Sequence, residues 1–206
     1  MTTSDRGLMQ LVAGALLLTV ASQIFYVAVV SNAGSDTVLR PLTWFAELAA
    51  FSTITISAWA LLARQPRLAL VWSALGFAGL LNVLQVGIGL SMFGPALEAG
   101  DAEPQLFATV LAGAFFLYFL AKLVLGAVSV VLGLGALRRP GAAAKGLGSL
   151  ALLTGAAAIA FNMLAMTDSK TWMFAAGAAG TGVSALIAIL LLTSANAGET
   201  AASPAS

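Results

Sequence analysis

Lys122 is the residue in this sequence best placed to do chemistry. It lies in the run FFLYFLAKLVLGAVSVVLGLGALRR, residues 115–139, where no other charge occurs before Arg138. An ammonium in so apolar a run needs a partner or water. Glu47, in another apolar run, is its natural partner, because each charge offsets the desolvation of the other. Four amides, Gln23, Asn82, Gln85 and Asn162, interrupt further apolar runs. On a helix Tyr118 and Lys122 share a stripe with Phe115, Gly126, Ser129, Gly133 and Ala136, and its small residues let a second helix come close. Asn82 and Gln85 likewise share a face that continues to Gly89.

Such groups can bridge helices by hydrogen bonds, or hold a small polar solute, a proton or an ion. Catalysis has less to work with. The chain has no cysteine and no histidine, which removes thiol nucleophiles, thiolate metal sites, the usual haem ligand and the commonest general base. No phosphate-binding loop, HExxH or G-x-S-x-G occurs. Met92, Met163, Met166 and Met173 read as packing residues rather than metal ligands. No cofactor, metal or enzymatic activity is expected, and a lipid-modifying enzyme would have to rest on Glu47 or Lys122 alone.

The elements that position these residues follow from composition. Of 206 residues 60% are hydrophobic and 8% charged, against about 25% charged in a soluble domain, so the expected solvent is lipid. The net charge of +1 gives no reason to expect nucleic acid as a partner. Six apolar segments, roughly 8–30, 42–63, 68–93, 106–137, 147–166 and 172–193, each reach the length of a spanning helix, ~20 residues. They are apolar on every side, which argues against barrel strands. The expected fold is therefore all-α: a polytopic bundle of six transmembrane helices in three hairpins, spanning residues 1–194, with a disordered tail at 195–206.

Turn chemistry separates the segments. Ser31–Asp36 ends the first, Arg64-Gln65-Pro66-Arg67 ends the second, Gly94-Pro95 ends the third, and Glu98–Pro104 fills the longest loop. Arg138-Arg139-Pro140-Gly141 stops the fourth, and Asp168 or Ser169 can cap the sixth. Arg6 precedes an apolar run, as in a signal peptide, but Asp5 spoils the basic region and the run continues to Val30, so a retained helix is expected. Faint likenesses between the hairpins read as shared membrane composition rather than triplication.

Orientation follows from the basic residues. With the N-terminus inside, Arg6, Arg64, Arg67, Arg138, Arg139 and Lys145 are inside, and Arg40 and Lys170 outside. Both termini are expected in the cytoplasm and the protein in the inner cell membrane. Trp44, Trp59, Trp72 and Trp172 then fall near the interfaces. Counting from the inner basic residue, Gln23, Glu47, Asn82, Gln85, Lys122 and Asn162 each lie about 15–18 residues along their helices, roughly 22–27 Å above the inner boundary. The sixth segment offers only Ala176, Gly177, Gly180 and Gly182, which suit close packing. The prediction is a polar cluster in the outer leaflet, made by Lys122, Glu47, Asn82, Gln85, Gln23, Asn162 and Tyr118, above a tighter inner half. It would bind or conduct a small polar solute or ion. The alternative is an accessory subunit of a larger membrane complex, in which the polar residues only stabilise packing.

Overall fold

The computed structural model describes residues 2–33 and 37–200. These form six α-helices, α1 Thr3–Ala28, α2 Leu39–Arg64, α3 Ala69–Glu98, α4 Leu106–Leu137, α5 Ala142–Thr167 and α6 Ser169–Thr200, with no strand among the described residues. By length and composition all six can cross a membrane, the make-up of a multi-pass integral membrane protein. In lipid a helix satisfies its own backbone, and the hydroxyls inside the helices follow suit: Thr53 donates to the Ala49 carbonyl and Thr55 to that of Phe51.

Helix ends are set by local chemistry. Thr2 and Asp5 form a capping box on α1, with Asp5 N–H on Thr2 Oγ1 at 3.1 Å and Thr2 N–H on Asp5 Oδ2 at 3.2 Å. Asp168 caps α6 by accepting the Thr171 N–H at 3.2 Å, as its position predicts. Between α4 and α5, Gly141 has φ 98°, a conformation that side chains with a Cβ disfavour.

One end of the bundle is tied by side chains. Arg64 donates to Ser4 Oγ at 2.6 Å, Arg139 to Ser194 Oγ at 3.0 Å and Arg6 to the Ala195 carbonyl at 3.2 Å. The start of α1 and the latter part of α6 therefore share this end, the terminal face; the opposite end is the distal face.

The three hairpins do not pack equivalently. α1, α2, α3, α4 and α6 close into a ring, and α5 stands outside it against α4 and α6. Glycines explain the close α4–α5 seam. A Cβ on Gly126 would lie 2.8 Å from the Gly155 carbonyl oxygen, and one on Gly133 2.8 Å from that of Gly148. Between them Ser129 Oγ donates to the Ala151 carbonyl at 2.9 Å. The small residues following Lys122 thus receive α5, as the stripe on α4 predicts.

Three expectations change. α3 does not stop at Gly94-Pro95 but runs to Glu98 with Pro95 inside it, beyond the Trp44–Phe93–Phe107 edge-to-face contacts that join its end to α2 and α4. Trp72 sits beside the turn at 64–67 but faces the protein rather than the interface: it is fully buried, and its indole N–H donates to Gln65 Oε1 at 3.2 Å, whereas Trp59 is exposed. Of the expected tail, residues 195–200 continue α6, and 201–206 lie outside the described residues, as do Gly34, Ser35 and Asp36 of the first loop.

Candidate functional site

The ring is filled differently at its two ends. Towards the terminal face Leu16, Ile54, Leu75, Val128 and Ile187, one from each ring helix, are buried to 2% exposure or less in one continuous apolar core. Towards the distal face the ring surrounds a cavity of about 820 Å³. Each of the five ring helices contributes polar groups or small residues to it, and α5 contributes none.

Lys122 projects from α4 into this cavity although only 1% of its surface is exposed. Its stem lies on Gly180 of α6, where an added Cβ would come within 2.7 Å of the lysine Cδ. Its Nζ sits 5.4 Å from the centre of the Tyr118 ring, a cation–π distance. Among the described residues it makes no hydrogen bond, and no carboxylate oxygen lies within 4.0 Å of it. The expected direct pair with Glu47 is therefore absent. Glu47 lines the same cavity from α2, but its Oε1 accepts from Ser22 of α1 at 2.9 Å. The packing that seats the lysine stem on α6 and the bond that draws the carboxylate towards α1 leave the two charges facing the same space without touching.

A hydrogen-bonded chain closes the side between α1, α4 and α6. The Thr181 hydroxyl proton is shared between the Gly177 carbonyl of its own helix at 2.9 Å and Gln23 Oε1 at 3.2 Å, and Gln23 Nε2 donates to the Tyr118 hydroxyl at 2.6 Å. Because that hydroxyl acts as acceptor, its own proton stays free to donate. On α3, Asn82 Nδ2 donates to the Ala78 carbonyl at 2.8 Å, which fixes the amide orientation and leaves Oδ1 buried without a partner among the described residues. Gln85 lines the cavity from the same helix.

Gln23, Glu47, Asn82, Gln85, Tyr118 and Lys122 are thus brought together. Asn162 is not. It points from α5 into the α5–α6 seam, where Nδ2 donates to the Ala158 carbonyl at 2.8 Å and reaches that of Ala176 at 3.4 Å. Its depth resembles that of the others, but α5 lies outside the ring, and depth carries no information about azimuth. The sequence reading missed Ser22 and Thr181. Thr181 could have been found as a hydroxyl level with the polar layer on a helix read only for its small residues. Ser22 carried no separate signal beside Gln23. Lys170, expected only as an outer-loop charge, lines the distal rim of the cavity.

Outside the membrane-spanning segments, hydrogen bonds from the Thr171 hydroxyl and N–H hold the Asp168 carboxyl below its ordinary value of 3.8. Among the described residues no group of three or more acidic side chains could hold a metal ion. The chain matches no known family model, no curated protein and no solved structure, so the physical reading of this cavity rests on its own residues.

Proposed function

We propose that this integral membrane protein uses the distal cavity to bind a small solute whose polar group sits between Lys122 and Glu47, and that it does so without covalent chemistry. The single observation carrying this reading is the buried Lys122 ammonium, which opens on a large cavity and, among the described residues, has no hydrogen-bond or carboxylate partner. An isolated charge is expensive to bury, and a structural lysine would be expected to meet its carboxylate. Here donors (Lys122, Tyr118) and the acceptor Glu47 face a common space, and a solute that both accepts and donates satisfies them together. With the N-terminus inside, the orientation favoured by the basic residues, we read this cavity as lying in the outer leaflet of the inner cell membrane and facing outward.

A thermal-shift titration of the purified protein with water-soluble 2-amino acids, 2-aminobutanoate among them, tests this reading. The native protein is expected to gain several degrees in Tm at saturating solute. Lys122→Met and Glu47→Gln are expected to fold and to show no gain. Equal shifts in native and variant proteins, or none in any, would overturn it.

A second reading, an accessory subunit of a larger membrane complex, is favoured by a different surface. On α1, Gly7 and Gly14 have nothing within 4 Å of an added Cβ and, with Gln10 and Thr53, line an open groove of about 490 Å³ along α1 and α2. Small residues on an open helix face suit the approach of another helix. That reading expects Gly14→Leu to release a co-purifying membrane subunit while Lys122→Met does not.

A further inference from the structure

The way into the cavity is written in the exposure of its lining. Residues of α2, α3 and α4 that line it are buried or half-buried, whereas the exposed ones, among them Ile24, Val27, Phe174 and Ala178, all belong to α1 and α6. These are side chains on the lipid-facing flank of the bundle, and Ile24 and Phe174 are exposed to 60% and 81%. The Gln23–Thr181 bond joins α1 to α6 at the end of this stretch nearer the terminal face. Beyond it, towards the distal face, the exposed lining residues of both helices border the cavity. A solute dissolved only in water would have no use for an apolar side window.

We propose that the cavity takes an amphiphile from the lipid phase through the window between α1 and α6, with a compact dipolar head seated between Lys122 and Glu47 and an apolar tail lying along Ile24 and Phe174. The inference rests on the small-solute reading above and adds the tail and the side approach. The head must be dipolar because the two charges oppose each other. A bare carboxylate head would satisfy Lys122 but meet Glu47, and a bare amine would do the reverse. Long-chain 2-amino acids carry both groups on adjacent atoms. Gln23 and Tyr118, joined by a hydrogen bond, line the same cavity as Lys122, so a polar head finds partners there that a plain hydrocarbon cannot use.

The probe is 2-aminohexadecanoate with a diazirine in its tail, offered to the full-length protein in lipid nanodiscs. Photolabelling is expected on α1 and α6 around Ile24 and Phe174, and is expected to fall at least about tenfold in Lys122→Met. Unlabelled 2-aminohexadecanoate should compete at least about 100-fold better than 2-aminobutanoate, because its tail is buried on binding. Hexadecanoate and hexadecylamine should compete less well than the dipolar compound. Ala178→Trp, which fills the window rim, should reduce long-chain labelling by a larger factor than it reduces the thermal shift with 2-aminobutanoate. If 2-aminobutanoate binds as tightly as the long chain, or Ala178→Trp does not lower labelling, the lipid route is wrong and the small-solute reading stands. If hexadecanoate or hexadecylamine competes best, the dipolar head is wrong. If no compound binds in a Lys122-dependent way, both readings fall.

Discussion

At the residue scale, the central feature is a lysine that the fold seats but does not neutralise. Gly180 makes the seat, because only a residue without a Cβ leaves room for the lysine stem. Gly180→Ala is therefore expected to fold, since a flexible side chain can yield, but to displace the ammonium and lower solute affinity about tenfold in the same titration. At the distal surface, Asp168 supplies a pH signature. Its carboxyl is held below 3.8 in the folded protein, so its capping contribution is present above that value and lost as the pH falls through the lower, folded value. The Tm difference between native protein and Asp168→Ala should be visible at neutral pH and close below about pH 4. Lys122 and Glu47 were legible in the sequence because a charge in an apolar run has few innocent explanations. Their separation was not, because it depends on where neighbouring helices draw each side chain.

At the element scale, the α4–α5 seam explains both what pattern reading found and where it stopped. The stripe Gly126, Ser129, Gly133 announced a close neighbour, and α5 supplies matching Gly148, Ala151 and Gly155. The same seam takes α5 out of the ring and Asn162 with it, an outcome that no count along a single helix can reveal. Gly126→Leu should destabilise the protein by about 1–3 kcal/mol through overpacking against the Gly155 backbone, read as a lowered Tm in detergent. Gly113→Ala on the same helix meets nothing within 4 Å and should be neutral or stabilising by up to about 1 kcal/mol. Helix α3 carries a related lesson. Pro95 looks like a stop in sequence, yet a helix tolerates a proline near its end when long neighbours run beside it.

At the scale of the whole molecule, the two halves of the bundle are built differently: the terminal half is a packed apolar plug and the distal half a largely apolar cavity into which a few polar side chains converge. That division was readable from the shared depth of the polar residues, because lipid forces each helix to display its costly side chains at a definite height. Which helices form the wall was not, since closure of the ring depends on how five helices pack together and on α5 staying outside them. With the proposed orientation, reporters fused after Arg139 should report the cytoplasm and reporters within 99–103 the exterior. The most direct test of the account uses the absence of native cysteine. Single cysteines at Lys122, Gln85 and Leu75 can be probed in native membranes with a small water-soluble thiol reagent offered to both faces. Lys122→Cys and Gln85→Cys should label readily, and Leu75→Cys, one helical stretch deeper in the plug, should stay inert. Labelling at Leu75→Cys with Lys122→Cys unreactive would contradict the account.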